Sequence, residues 1–151
     1  LDYAKNKQGP DDRIPGRQAD ALNLPFDDAS FDAAVCKLGV NFPEKVASYA
    51  EALRVLKPGG KFIFTVWDHI GVNEFADIVT QTASAEFSDD LPRFLTRIPH
   101  GYNNVRLIQQ ELSAAGYSNI PISTVKKKQC GAVPHHAAIA YCKGTSLRNE
   151  I

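Results

Sequence analysis

Apolar and polar positions along the chain divide it into alternating strand-like and helix-like stretches. Phe31 to Cys36 (F-D-A-A-V-C) is a short apolar run that reads as a buried strand. After a loop at Gly39 to Phe42, Val46, Tyr49, Ala50, Leu53 and Leu56 recur at helical spacing and form an apolar stripe. Pro43 suits the first helical position, and Glu44 suits the first turn beside the positive end of the helix dipole. Lys57-Pro58-Gly59-Gly60 should end that helix in a tight turn. Lys61 to Trp67 is nearly continuous in apolar character, the pattern of a strand covered on both faces.

The flanks are less regular. Leu1 to Lys7 reads as the end of a helix broken by Gly9-Pro10-Asp11-Asp12, and Ile14 to Ala19 as a weak edge strand interrupted by Pro15 and Gly16. Asp20 to Ser30 reads as a loop. Downstream, the spacing predicts a helix over Val72 to Phe87, with Phe75, Ile78, Val79 and Ala83 on one side. An irregular stretch follows to Asn104, with Pro92, Pro99 and Gly101. Asn104 should cap a helix that presents Val105, Ile108, Leu112 and Ala115 inward and stops at Gly116. Ile120 to Lys128 alternates like a half-exposed strand, and Pro134 to Cys142 reads as a helix opened by proline. Alternation of strand, helix and strand predicts a layered α/β domain, in which ligands gather at the carboxyl ends of the strands. Those ends are Asp20-Ala21, Lys37 to Asn41, and Trp67 to Val72.

Composition narrows the picture. The 151 residues suit one domain, and 44% hydrophobic with 23% charged residues is ordinary for a globular chain. Seventeen basic and seventeen acidic residues leave no net field to attract nucleic acid. No apolar run approaches a membrane span, and no signal peptide is visible. Cys36, Cys130 and Cys142 lack metal-ligand spacing, which argues for a reducing, cytoplasmic compartment. The chain has no methionine and begins at Leu1, so a longer parent protein is expected.

Three blocks, in order and spacing, resemble the middle of a class I S-adenosylmethionine-dependent methyltransferase of the small-molecule, quinone-biosynthesis-like branch. They are Asp20-Ala21 followed by Leu24-Pro25-Phe26, the Ser30 to Val35 strand, and Arg54-Val55-Leu56-Lys57-Pro58-Gly59-Gly60. The resemblance implies a Rossmann-like α/β sheet with helices on both faces. It would be incomplete at the N-terminus, where the family carries its glycine-rich loop, and at the C-terminus. It implies a single partial methyltransferase domain over residues 1–151, with residues 70–104 as the substrate lid. The implied cofactor is S-adenosyl-L-methionine, and the implied reaction is methyl transfer to a small-molecule acceptor. Asp20 resembles the carboxylate that meets the adenine amino group, and Ala21 the neighbour whose N–H meets the ring. Cys36, Lys37 and Leu38 match positions along the cofactor's ribose and methionine part, and Trp67 and Asp68 would face the acceptor.

Each of these positions also has a structural reading. Asp20 could cap a turn, Asp27-Asp28 reads as a solvated turn, and Cys36 as a small buried strand residue. His135-His136 has no ligand partner at metal spacing, so no metal is expected, and Lys126 to Lys128 reads as an exposed strand. His69, His100 and Tyr102 lie in loops on the predicted ligand side and are the acid/base candidates. Strands left unpaired at an edge would allow a homo-oligomer. The rival readings are a non-catalytic truncated module that acts by association, and a nucleotide-dependent oxidoreductase, for which no dinucleotide fingerprint is present.

Overall fold

A computed structural model describes residues 2–8, 13–41, 43–87, 89–128, 130 and 133–151. Helix α1 spans Asp2–Gln8, strand β1 Phe31–Lys37, helix α2 Lys45–Val55 and strand β2 Leu56–Thr65. A 3₁₀ turn (Ile70–Val72) leads into α3 (Glu74–Glu86), followed by α4 (Phe94–Arg97), α5 (Val105–Ala114), α6 (Pro134–Gly144) and a last 3₁₀ turn (Ser146–Asn149). The breaker at residues 9–12 lies outside the described residues.

β1 and β2 pair in parallel through the α2 crossover, the unit expected of a Rossmann-like α/β sheet. Phe31 pairs with Leu56 and Ala33 with Lys61, so Asp32 alone faces Lys57 to Gly60. The four residues read as a tight turn are therefore a wide bulge inside β2. Gly59 sits at φ +80°, and a Cβ on Gly60 would come within 2.9 Å of the Lys57 carbonyl. Lys57 Nζ reaches across the bulge to Asp32 at 2.9 Å and 3.0 Å.

Among the described residues the sheet is covered on one face only. Cys36, Phe62, Phe64 and Val66 pack against buried Val40, Tyr49, Tyr102, Ile108, Leu112 and Ala115. The Tyr49 ring stacks on Phe64 at 5.7 Å and tilts against Phe62 at 5.8 Å. On the opposite face Val35 is 72% and Ile63 51% exposed. The buried strands predicted at 31–36 and 61–67 are thus half-buried, and the helices expected on both faces cover one among the described residues. The same residue types serve a doubly covered sheet or a singly covered one, and only the number of layers decides.

A second cluster lies away from the sheet. Ile70, Ala76, Leu95 and Leu147 are buried together, with Val79, Phe94, Tyr141 and Cys142 around them. Glu150 ties it shut. Its Oε2 accepts from the backbone N–H groups of Arg93 (2.7 Å) and Phe94 (2.6 Å), and its Oε1 meets Arg97 Nη2 at 3.1 Å.

Other expectations are corrected. α2 starts at Lys45, with Pro43 ahead of it and Glu44 at the cap instead of in the first turn. Its buried face is Ser48, Tyr49, Ala52 and Val55, which leaves Val46 and Ala50 exposed. In α3 the buried residues are Ala76 and Ala83, and Ile78 is exposed. α5 matches its reading: Asn104 Oδ1 accepts from Leu107 N at 3.1 Å, Gly116 stops the helix at φ +100°, and only Val105 turns outward. Residues 14–19 and 120–128 form no strand. Pro15 removes a ladder donor from the first. The second alternates correctly but has no neighbouring strand to pair with among the described residues.

Candidate functional site

The site is built where β1 and β2 end. Leu38 leaves β1 in the left-handed region (φ 55°), a conformation rare for a side-chain-bearing residue. Its N–H is held by the Thr65 carbonyl at 3.1 Å and by Thr65 Oγ1 at 3.2 Å. This turn brings Leu38, Val40 and Asn41 beside Thr65, Val66, Trp67 and Pro99, packed closely enough that no space for a water molecule is enclosed between them. The same loop as Pro99 carries His100, whose buried ring lies 5.8 Å from that of Trp67. His100 Nδ1 is 2.8 Å from the Asp68 carbonyl oxygen. With Nδ1–H donating to that carbonyl, Nε2 carries the lone pair, the tautomer of a general base.

The other candidates have different surroundings. His69 is exposed, and its Nδ1 accepts from Gly71 N at 3.1 Å, so it caps the 3₁₀ turn. The Asp68 carboxylate accepts from His69 N at 2.7 Å, and Asn73 Nδ2 binds the carbonyls of Asp68 (3.1 Å) and His69 (2.9 Å). These bonds knit residues 68–73 into a rigid end to β2. Tyr102 points into the core, where its hydroxyl donates to Glu111 and receives the Tyr49 hydroxyl at 3.1 Å. Burial first, and then the hydrogen bond to Glu111, push the Tyr102 hydroxyl far above the usual phenol range. Cys36 also packs on the core cluster, and Lys37 is exposed at the strand end.

Asp20 and Ala21 are not among the residues gathered at the strand-end junction. One Asp20 oxygen accepts from Leu22 N at 3.0 Å, which is the capping role, and the Asp20 carbonyl accepts from Asn23 N at 3.1 Å. Among the described residues the second carboxylate oxygen and the Ala21 N–H are unengaged. An acceptor and a donor side by side fit the amino group and ring nitrogen on an adenine edge. The cofactor fit is therefore partial: the adenine-end pair suits it, while Cys36 packs on the core and the closely packed residues around Leu38 enclose no space for it.

The motif blocks have a structural basis of their own. Arg54 joins two of them. Its guanidinium donates to the carbonyls of Leu24 (3.1 Å) and Phe26 (2.9 Å) and to the Asp28 carboxylate (2.6 Å). It also forms a two-pronged pair with Glu51 at 2.9 Å and 2.7 Å. Glu51 Oε1 accepts in turn from Leu24 N at 2.7 Å. Arg54 thus pins the loop before β1 onto α2.

Sequence reading placed Val40 and Asn41 on a ligand-side loop but missed Thr65, Val66 and Pro99 as their neighbours. Their position next to the strand ends was the available signal. Among the described residues no group of three or more His, Cys, Asp or Glu side chains could hold a metal ion, and no helix is long and apolar enough to cross a membrane.

Residues 1–64 match the family described as a methyltransferase domain. Over 64 residues the chain is 44% identical to a demethylmenaquinone methyltransferase of Clavibacter sepedonicus, covering 42% of this chain and 26% of that relative. A longer alignment of 129 residues, at 30% identity, covers 79% of this chain and 51% of a ubiquinone/menaquinone biosynthesis C-methyltransferase of Bradyrhizobium sp.. The chain therefore spans between about a quarter and about half the length of these curated relatives. A solved structure described as a SAM-dependent methyltransferase, possible histamine N-methyltransferase, of Thermotoga maritima is similar at 22% identity with a TM-score of 0.47, covering 67% of this chain and 44% of that one. Through residues 1–64 the chain is thus similar in sequence to the methyltransferase-domain family, and the relatives it matches are named as quinone-biosynthesis methyltransferases.

Proposed function

We infer that the protein transfers a methyl group from S-adenosyl-L-methionine to a small-molecule acceptor, with residues 1–151 forming a single partial methyltransferase domain and residues 70–104 its substrate lid. The observation that supports the reading is the similarity of residues 1–64 to methyltransferase-domain sequences, whose strand ends here bring Leu38, Trp67 and Pro99 together with the His100 ring beside Trp67. When bound, the cofactor supplies an already activated methyl carbon. The chain's own work is then alignment and exclusion of water. Asp20 and Ala21 hold the adenine edge, and Trp67 and Asp68 shape the acceptor side. His100, steadied by the Asp68 carbonyl and the Trp67 ring, takes a proton at Nε2 where the acceptor must lose one. His69 and Tyr102 are assigned structural roles.

Three free cysteines support a reducing, cytoplasmic setting. Each strand has one neighbour among the described residues, which leaves an outer edge on each for pairing with a second copy. The bare sheet face favours the second reading, a non-catalytic module that acts by association.

Calorimetry with Asp20→Ala tests the assignment. Loss of this hydrogen bond should weaken cofactor binding by about 1.5–3 kcal/mol. Unchanged affinity would remove Asp20 from the site.

A further inference from the structure

A cavity adjoins the strand-end junction. It is an open-mouthed cleft of about 440 Å³ lined by Asn41, Phe94, Ile98, Pro99, Gly144, Thr145, Ser146 and Arg148. That volume lies within the range of small-molecule sites. Asn41 and Pro99 belong to both the junction and the cleft, so the cleft continues from the strand ends toward solvent. Phe94, Ile98 and Pro99 make an apolar wall. The facing rim is polar, and its polar groups divide into engaged and free. Thr145 Oγ1 donates to the Tyr141 carbonyl (2.6 Å) and accepts from Leu147 N (3.2 Å). Nearby, Glu150 neutralises Arg97. The side chains of Asn41, Ser146 and Arg148 form no hydrogen bond or ion pair among the described residues. The cleft therefore combines an apolar wall, two uncommitted neutral polar groups and one uncommitted guanidinium.

We propose that this cleft binds a small aromatic carboxylate, its ring against Phe94, Ile98 and Pro99 and its carboxylate on Arg148. A guanidinium matches a carboxylate through two parallel N–H donors, a geometry that a neutral ring substituent does not reward. Asn41 and Ser146 then select among ring substituents. The assignment of this ligand as the methyl acceptor rests on the methyl-transfer reading, whereas the binding itself does not.

The test is calorimetric titration of the 151-residue chain with 2-naphthoate and with its neutral counterpart 2-naphthamide, in the absence of S-adenosylmethionine. Naphthoate should bind at least about tenfold more tightly than the amide, the scale of one hydrogen-bonded charge pair. Arg148→Gln should abolish that preference, Arg148→Lys should restore part of it, and Arg97→Gln should leave it intact. Arg148 is exposed, so circular dichroism of the variants should match the parent. Equal binding of both probes, no binding of either, or a preference that survives Arg148→Gln would each overturn the proposal. Naphthoate binding with no S-adenosylmethionine binding by either this chain or a version extended at both ends would uphold the cleft and sink the methyl-transfer reading. The reverse result would sink the cleft alone.

Discussion

The two hydrophobic clusters are built on different principles. The cluster under the sheet is aromatic and hydrogen-bonded: Tyr49 stacks on Phe64, its hydroxyl meets Tyr102, Tyr102 meets Glu111, and Tyr117 Oη donates to the Tyr49 carbonyl at 3.1 Å. The helical cluster of Ile70, Ala76, Leu95 and Leu147 is aliphatic at its centre, and one carboxylate, Glu150, fastens it from outside. The first holds the strand ends at which the cofactor is proposed to bind. The second holds one wall of the open cleft. Directional bonds among buried tyrosines specify a single arrangement, whereas aliphatic packing tolerates exchange of residues of similar volume. The cofactor side is accordingly the rigid part, and the cleft side is the part free to vary with the acceptor.

The largest effect should come from Tyr49→Ala, which removes a fully buried ring and a network partner together. Denaturant unfolding should show a loss of about 3–5 kcal/mol. Leu147→Ala, also fully buried, should cost about 2–5 kcal/mol by cavity formation, and Leu147→Met under about 1.5 kcal/mol. Should Leu147→Met cost as much as Leu147→Ala, the tolerance assigned to the second cluster would fail.

Alkaline titration sharpens the contrast. Burial raises the hydroxyls of Tyr49, Tyr102 and Tyr117 above the ordinary value of 10.0. Their neutral forms therefore stabilise the fold fully below about pH 10, and that contribution is lost as pH climbs toward the raised values. Ultraviolet absorbance should show these three ionising together with unfolding, not before it. Early ionisation would mean that the network is open to water.

The smallest effect is at acid pH. The hydrogen-bonded Arg54 guanidinium holds the Glu51 carboxyl down at about 2, against an ordinary 4.5. A depressed value gives stability that is present above the ordinary value and lost as pH falls toward 2. Melting curves of the parent should therefore fall through this window relative to Glu51→Gln, and parallel curves would contradict the clamp.

Much of this was legible in local sequence. α5 is written in its cap and stop, Asn104 and Gly116, and β1 and β2 in their apolar runs. Strands at 14–19 and 120–128 were not decidable locally, since a strand exists only with a neighbour to pair with, and alternation alone supplies none. Leu38 and Trp67 lie together at the strand ends, and the His100 ring lies beside Trp67. Tyr102 and Cys36 turn inward instead, because an aromatic hydroxyl with Glu111 in reach, and a thiol beside Phe62 and Phe64, are better satisfied in the core. Arg148 carried no signal, because its approach to Asn41 is a product of chain folding over more than a hundred residues.

The central claim is that this fold serves an S-adenosylmethionine-dependent transfer. Calorimetric titration of S-adenosylmethionine, into the chain and into a version extended at both ends, tests it most directly. The account predicts saturable binding by the extended protein that Asp20→Ala weakens. Absence of binding to both would contradict it and leave association as the role of the domain.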